Sequence, residues 1–319
     1  MILQIFILIA GLILILFGAD WLVDGSSSIA RKFGLSEFII GLTIVGIGTS
    51  TPEMVVSFLS SFQGKADMAV GNIIGSNIFN TMMILGVTAL ISPLAITKNN
   101  LRKDIPLNII VTVLLILLGM NATIFNYGQD QLSRLDGAIL LSIFIWYIWS
   151  SFKSDAPDQE DKENSIKEYS GLISTLMVVS GLGALIIGGR LFVNSATELA
   201  KLFGVSDKFI AITVMAAGTS MPELATCVVA ALKGRGQLAL GNIIGSNISN
   251  ILLILGGASL INPLSFSGMT YVDIGIVLAS ALFILASAYF FKRKSLDRFE
   301  GAILILMEAG YMWYLISNL

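Results

Sequence analysis

The chain contains no histidine and only one cysteine among its 319 residues, and only 13% of its residues are charged. The absence of histidine excludes histidine-held zinc or haem, His-based catalytic triads and His-based proton relays. The single cysteine, Cys227, cannot form an intrachain disulfide, and we expect it to be a packed, small apolar residue. Soluble proteins carry about 25% charged residues, so the low charge content indicates a chain that is not built to face water.

Long apolar runs take the place of the missing charge. The mean hydropathy is +0.86, and many runs approach the roughly 20 residues that a membrane-spanning helix requires. The runs at 2–17 and 109–120 do not alternate as the strands of a β-barrel would. The first run lacks a basic flank and a small-residue cleavage site, so we predict a transmembrane helix rather than a signal peptide. The predicted fold class is an all-α polytopic membrane protein embedded in the lipid bilayer.

We predict ten transmembrane helices joined mostly by short loops. They are expected at residues 2–30, 36–62, 68–91, 104–122, 132–152, 170–200, 206–232, 237–260, 271–291 and 298–317. The one clearly polar linker, at 153–169, follows the fifth span. It lacks the ordered pattern of a Ca²⁺-binding EF-hand loop with a central glycine and is too short for a regulatory domain. We therefore interpret its acidic residues as a solvated linker rather than a calcium sensor.

The chain carries an internal repeat. Residues 41–94 return as residues 211–264, shifted by 170 positions without a gap, and 24 of the 54 pairs are identical. The likeness extends to RLDGAIL at 134–140 and RFEGAIL at 298–304. We divide the chain into an N-terminal repeat at 1–152, the linker at 153–169 and a C-terminal repeat at 170–319. Because each repeat has an odd number of spans, the second enters the membrane upside down, as in many secondary transporters.

Basic residues predict the orientation of this inverted repeat. If the termini are outside, most of the 19 Lys and Arg residues fall in inner segments. The outer segments hold only Lys65, Arg134, Lys201 and Lys208. The positive-inside rule then predicts a cell-membrane protein with both termini outside and the linker in the cytoplasm. We interpret Asp20 and Asp24, near the inner end of the first span, as interfacial or packing residues.

The first repeated motif is GTSTPE at 48–53 and GTSMPE at 218–223. Pro52 and Pro222 each remove a backbone donor, so both helices should break at membrane depth, where freed carbonyls must line a cavity or bind an ion. Glu53 and Glu223 follow the prolines, and a carboxylate inside a membrane usually marks an ion pathway. Hydroxyl oxygens are added by Thr49, Ser50, Thr219 and Ser220.

The second repeated motif, GNIIGSN followed by IFN or ISN, predicts a polar stripe on a helix. Its members are four residues apart and so share one face; they are Asn72, Ser76 and Asn80 in the first copy and Asn242, Ser246 and Asn250 in the second. The glycines alone would indicate only close helix packing. Carboxylate, hydroxyl and carbonyl oxygens together suit hard cations such as Ca²⁺ and Na⁺. We therefore predict one cation site made by both halves.

These two motifs resemble the α-repeats of the cation/calcium exchanger superfamily, and the chain looks like a prokaryotic Na⁺/Ca²⁺ exchanger. The resemblance implies that Glu53 and Glu223 are carboxylates shared by Ca²⁺ and Na⁺. It implies further ligands: the Thr49 and Thr219 carbonyls for Ca²⁺; Ser50, Ser76, Ser220 and Ser246, with the Gly46 and Ala216 carbonyls, for Na⁺; and Asn80 and Asn250 at the centre. Some relatives have Asp where this chain has Asn250, which disfavours K⁺ co-transport here.

We therefore predict a secondary antiporter that exchanges Na⁺ for Ca²⁺ by alternating access. It is expected to be no enzyme, to need no cofactor, to bind no nucleic acid and to work as a monomer, with the first and sixth helices moving as a gate. A Ca²⁺/H⁺ antiporter on the same fold is the main alternative, although protons would not need the four central serines. A gated cation channel is less favoured, because the glutamates lie in two inverted halves rather than a symmetric ring.

Overall fold

The computed structural model describes residues 1–126, 128–154, 168–203, 216–290 and 295–318. The first half contains α1 (Ile2–Phe33), α2 (Glu37–Thr49), α3 (Thr51–Phe62), α4 (Ala66–Phe79, continued through a π-helical stretch at Asn80–Ile84 into Leu85–Ile91), α5 (Ile105–Gly119, preceded by a π-helical stretch at Asn100–Asp104), α6 (Asn121–Phe125) and α7 (Arg134–Ser154). The predicted linker lies outside the described residues between 155 and 167.

The second half has matching elements. They are α8 (Gly171–Leu202), α9 (Ala216–Thr219), α10 (Met221–Leu232), α11 (Gly236–Ser249, continued through a π-helical stretch at Asn250–Leu255 into Gly256–Ile261), α12 (Tyr271–Phe290) and α13 (Arg298–Ser317). The short strands are β1 (Leu94–Ala95), β2 (Gln131–Leu132), β3 (Leu264–Ser265) and β4 (Ser295–Leu296). The predicted seventh span is described only from residue 216 onward.

The described helices confirm an all-α polytopic membrane protein. Seven of them are long and apolar enough to cross a membrane, and there are eight spans if α2 and α3, which meet at an angle of 47°, count as one. Two predicted spans are missing from that number for simple reasons. The helix α5 has only 15 residues, and the described part of the seventh span contains the short helix α10. The predicted count of ten fits this arrangement.

The two helices of the second motif lie at the centre of the molecule. Within the spanning windows, 94% of the residues of α11 and 72% of those of α4 are buried, against 22% for α1 and 28% for α8. Large apolar side chains remain exposed on the outer helices, for example Phe6, Trp149 and Leu176. The outer helices therefore present an apolar surface to lipid and surround α4 and α11.

The helices α1 and α8 pack against each other through glycines. A Cβ atom on Gly18 would lie 2.8 Å from the Gly181 carbonyl oxygen, and one on Gly181 would lie 2.8 Å from the Gly18 carbonyl oxygen. Gly11 and Gly188 make a second contact of the same kind. Small residues that let two backbones touch are a common basis of helix association in membranes. The first and sixth spans thus form a close pair.

Two small β-ladders tie the ends of the two halves together. The strand β1 pairs antiparallel with β4, and β2 pairs antiparallel with β3. The charge pattern assigns both members of the first pair to the inner face and both members of the second to the outer face. Each ladder thus joins loops that are expected on the same side of the membrane.

Ion pairs connect the end of α1 and the start of α2 to the loop after α10. The Lys233 ammonium lies 2.7 Å from Asp20 Oδ1 and 2.6 Å from Asp24 Oδ1. Arg235 Nη1 lies 3.0 Å from Glu37 Oε1, and both of these side chains are largely buried. The interfacial position predicted for Asp20 and Asp24 agrees with their pairing to a loop lysine.

The contact between α1 and α8 predicts that two neighbouring glycine substitutions on α8 differ in their effect on stability. Gly181→Ala should lower the free energy of unfolding by about 1–3 kcal/mol, because the new methyl group meets the backbone of α1 and overpacks the interface. Gly183→Ala is the matched control, since no described atom beyond its own stretch of α8 lies within 4 Å of the added Cβ. Thermal unfolding in detergent measures both; equal melting temperatures for the two variants would contradict the contact.

Candidate functional site

Both motif helices are broken immediately before the repeated glutamate. Ser50 (φ −77°, ψ 11°) separates α2 from α3, and Ser220 (φ −89°, ψ 11°) separates α9 from α10. A proline lies in the first turn after each break, followed by Glu53 or Glu223, and each glutamate is 1% exposed. The predicted breaks are confirmed in the described residues. Each carboxylate therefore lies in the first turn of a helix, where the backbone N–H groups favour negative charge.

The two breaks differ in how the carbonyl freed by the proline is satisfied. In the first half the Thr51 hydroxyl donates to the Gly48 carbonyl oxygen at 2.7 Å. The second half has Met221 at the matching position, and methionine has no hydroxyl to donate. The duplicated breaks are therefore alike in backbone but not in their local hydrogen bonds.

Hydrogen bonds cross between the halves at the two glutamates. The Ser50 hydroxyl donates to Glu223 Oε1 at 3.0 Å, and the Ser220 hydroxyl donates to Glu53 Oε1 at 3.2 Å. The four residues are therefore brought together at one place, as the repeat predicted. Among the described residues, neither glutamate forms an ion pair. Each carboxylate is thus stabilised by a hydrogen bond from a hydroxyl group of the opposite half.

A second set of crossing hydrogen bonds holds Asn80 and Asn250. Asn80 Nδ2 donates to Asn247 Oδ1 at 3.2 Å, and Asn250 Nδ2 donates to Asn77 Oδ1 at 2.9 Å. All four asparagines are buried. Asn77 and Asn247 were not predicted as site residues, because they lie off the face shared by Asn72, Ser76 and Asn80. Their presence in both copies of GSN was the signal that could have identified them.

Four buried oxygens at this site make no hydrogen bond to a described group. They come in two pairs related by the repeat: Glu53 Oε2 with Glu223 Oε2, and Asn80 Oδ1 with Asn250 Oδ1. A buried polar atom without a partner costs free energy, so the same cost at repeat-related positions points to a ligand. All four atoms are acceptors, and oxygen acceptors of carboxylates and amides are what hard cations bind.

The serines of the second motif reach the backbone of the broken helices. At Gly241 and Gly245 an added Cβ would collide with main-chain oxygens of α2, so α11 and α2 touch backbone to backbone. This approach lets the Ser246 hydroxyl donate to the Gly46 carbonyl oxygen at 3.1 Å. Ser76, the matching residue of the first half, is 3% exposed. Ala216, whose carbonyl was the matching candidate, is the first residue of α9.

Asn72 and Asn242 support the breaks through bonds to protein groups. Asn72 Nδ2 donates to the Glu53 carbonyl at 3.3 Å and to the Ser57 hydroxyl at 3.1 Å. Asn242 Oδ1 accepts from the Thr49 hydroxyl at 3.2 Å, while its Nδ2 donates to Cys227 Sγ at 3.2 Å. Thr219 occupies the place of Thr49 at the end of α9. The expected packed cysteine is buried, and it also carries this hydrogen bond.

The described side chains form no group of three or more Cys, Asp and Glu residues that could hold a metal ion. The candidate site has instead two carboxylates among neutral hydroxyl, amide and carbonyl oxygens. Such a donor set suits exchangeable hard cations better than a resident transition metal, which prefers nitrogen and sulfur ligands.

Comparisons with known proteins point to one family. The sequence profile described as sodium/calcium exchanger protein matches residues 3–153 and 173–317. The chain is 31% identical to the sodium/calcium exchanger MaX1 of Methanosarcina acetivorans, with 96% of each chain covered. It is 36% identical to the inner membrane protein YrbG of Escherichia coli K12, over 85% of this chain and 84% of that one. A solved structure of the sodium-calcium exchanger NCX_Mj superposes with a TM-score of 0.85 and 32% identity, covering 98% of this chain and 99% of that chain.

The four unpartnered oxygens predict that added cations stabilise the folded protein. Ca²⁺ at 100 times its dissociation constant should raise the free energy of unfolding by about 2.7 kcal/mol, because it binds only the folded state. Glu53→Gln and Glu223→Gln should each abolish the Ca²⁺-dependent rise in melting temperature. Asp104→Asn is the matched control. Asp104, in the stretch that precedes α5, is also buried, but it accepts a hydrogen bond from the Tyr147 hydroxyl of α7. A Ca²⁺ response that survives both glutamine variants would place the cation elsewhere.

Proposed function

Because the chain belongs to the sodium/calcium exchanger protein family, we propose that it is a secondary antiporter that exchanges Na⁺ for Ca²⁺ by alternating access. The observation that carries this proposal is the reciprocal contact of Ser50 with Glu223 and of Ser220 with Glu53. It brings both breaks, both carboxylates and both halves to one buried place. The protein acts as a transporter rather than an enzyme, and it needs no cofactor.

We assign roles at this site by donor chemistry. Glu53 and Glu223 supply the negative charge shared by Ca²⁺ and Na⁺, and the Asn80 and Asn250 oxygens complete the centre. The remaining ligands are the Thr49 and Thr219 carbonyls for Ca²⁺, and the hydroxyls of Ser50, Ser76, Ser220 and Ser246 with the Gly46 and Ala216 carbonyls for Na⁺. Asn72 and Asn242 hold the breaks in shape.

Charge balance explains why the two ions exclude each other. Two carboxylates in a low-dielectric site cannot both stay ionised without nearby positive charge. One Ca²⁺ neutralises both, and several Na⁺ ions distributed over the same glutamates and the neighbouring serines do the same. Because the ligand sets overlap, occupancy by one ion prevents occupancy by the other. This exclusion is the basis of exchange rather than co-transport.

The choice of Na⁺ as the counter-ion rests on the serines. Proton exchange would need only Glu53 and Glu223, whereas this site surrounds them with buried hydroxyl groups. Ser50 and Ser220 are 0–1% exposed and Ser246 is 0% exposed. Neutral hydroxyl and carbonyl oxygens are ligands for Na⁺, whereas hydroxyls that donate to a carboxylate favour its ionised form over its protonated form. The amide at Asn250, in place of a third carboxylate, disfavours K⁺ co-transport.

The glycine-packed pair of α1 and α8 is the element that we propose to move. Leu182 of α8 lies over the first break, where an added Cβ on Gly48 would be 2.8 Å from it, and Val193 lies over the second break at Gly218. Sliding this pair against the other helices would uncover the site on one side and cover it on the other. Both ions would then use one fixed site from opposite faces.

We further propose the topology that the basic residues predict. Both termini face outward, the linker at 153–169 is cytoplasmic, and the five-helix units at 1–152 and 170–319 are inverted relative to each other in the cell membrane. Since one chain supplies both halves of the site, a monomer is sufficient for exchange, and no nucleic-acid partner is involved.

Flux into vesicles tests the exchange reaction. Purified protein in vesicles should accumulate ⁴⁵Ca²⁺ against its gradient when Na⁺ flows outward, and Glu53→Gln should reduce this uptake to background, because one of the two shared charges is lost. Asp104→Asn serves as the control and should retain uptake. Uptake driven by a pH gradient alone would contradict Na⁺ coupling, and uptake that no counter-gradient can drive uphill would indicate a channel.

Cross-linking tests the moving element. The variant Asp24→Cys/Lys233→Cys replaces an ion pair of 2.6 Å between α1 and the loop after α10. A short bis-methanethiosulfonate reagent, which forms a disulfide with each cysteine, should therefore fix α1 and α8 to the core and abolish flux. The variant Ser28→Cys/Ser174→Cys is the matched control. Its hydroxyls lie 2.9 Å apart between α1 and α8, and a disulfide there should leave flux intact because both helices move together. Both variants are made with Cys227→Ser. Equal flux in the two cross-linked variants would contradict the proposed gate.

A further inference from the structure

We propose that Asn77 and Asn247 are positioning residues that set which end of the Asn80 and Asn250 amides faces the cation. This inference rests on the proposed cation site but goes beyond it, because neither residue was assigned a ligand role. The matched hydrogen bonds carry it: Asn77 Oδ1 accepts from Asn250 Nδ2, and Asn247 Oδ1 accepts from Asn80 Nδ2.

The two anchoring asparagines are themselves held by bonds that leave their oxygens pointing at the site residues. Asn77 Nδ2 donates to the Asn247 carbonyl oxygen at 3.2 Å. Asn247 Nδ2 donates to the Thr81 hydroxyl at 2.8 Å. Asn77 is 3% exposed and Asn247 is 2% exposed. With both amide nitrogens engaged, each anchor presents an acceptor to its neighbour across the repeat.

An asparagine side chain has a donor end and an acceptor end of nearly equal size. If Asn80 or Asn250 turned by half a rotation, its NH₂ group would take the place of Oδ1 and face the cation. That orientation would remove a ligand and add a partial positive charge. It would also bring Asn80 or Asn250 Oδ1 against the oxygen of its anchor. The anchors therefore favour the orientation in which the unpartnered oxygen is available.

The anchoring also couples the two halves. Asn77 belongs to the first half and holds Asn250 of the second, whereas Asn247 of the second half holds Asn80 of the first. All four residues lie on α4 and α11, the two central helices. A movement of one of these helices alone would release an amide on the other, so the pair must remain fixed while the gate moves.

Equilibrium ⁴⁵Ca²⁺ binding to purified protein tests this role independently of the counter-ion. Asn77→Ala should weaken Ca²⁺ binding by roughly 10–100-fold, the usual effect of losing a residue that orients a metal ligand. Asn247→Ala acts on Asn80 and should weaken binding to a similar extent. Asn100→Ala is the matched control. It removes a buried amide whose oxygen accepts a hydrogen bond from the Thr97 backbone N–H, and it should leave the Ca²⁺ affinity unchanged.

A double substitution separates positioning from simple structural damage. In an Asn250→Asp background the side chain has oxygen at both ends and no longer needs to be oriented. Asn77→Ala should then change the Ca²⁺ affinity less than about threefold relative to Asn250→Asp alone, a small fraction of the usual loss on removing such an orienting residue. Asn80→Asp should likewise suppress the effect of Asn247→Ala.

The outcomes distinguish this inference from the proposed function. An equal loss of affinity in both backgrounds, or no loss in either single alanine variant, would overturn the positioning role while leaving the cation site in place. If the unmodified protein bound no Ca²⁺, the proposed function would fail and the inference with it. Should Asn77→Ala fail to fold, the Asn247→Ala and Asn80→Asp pair provides the same comparison.

Discussion

The structure depends on one constraint: two carboxylates, Glu53 and Glu223, are buried together inside a membrane protein without a basic partner among the described residues. Such charges are costly in a low-dielectric interior unless they are hydrogen-bonded or neutralised. The breaks at Ser50 and Ser220 provide hydroxyl donors and helix N-termini, which meet part of this cost. In the proposed function, bound cations neutralise the remaining charge, so the same groups account for both stability and ion binding.

Duplication with inversion meets this constraint in a way that a single repeat cannot. Each glutamate receives a hydroxyl from the opposite half, and the Asn80 and Asn250 amides are each held by an asparagine of the opposite half. Glycines such as Gly241 bring the broken and unbroken helices into backbone contact. Neither half therefore forms these hydrogen bonds on its own. Residues around these contacts are less symmetric: Thr51 of the first half corresponds to Met221 of the second. Such differences leave the crossing hydrogen bonds at the centre unchanged.

The local features of this arrangement could be predicted from sequence. The repeat, the breaks at the prolines and the carboxylate and hydroxyl residues are all encoded within short motifs, and the described helices agree with them. The repeat predicted that the two halves meet at one site, but not which side chains pair there. Ser50 and Glu223 are 173 residues apart, and only the folded structure shows that one donates to the other. Asn77 was missed for a related reason: an i, i+4 face selects residues along one helix, whereas Asn77 acts between two helices.

The central claim is that two half-sites form one cation site, and counting bound ions tests it most directly. Equilibrium ⁴⁵Ca²⁺ binding to the purified protein should give one Ca²⁺ per chain, displaced completely by Na⁺. Glu53→Gln and Glu223→Gln should each remove all of the Ca²⁺, since each carboxylate belongs to the same site. Two Ca²⁺ per chain, with one retained after either substitution, would show that the halves bind cations separately and would contradict the account.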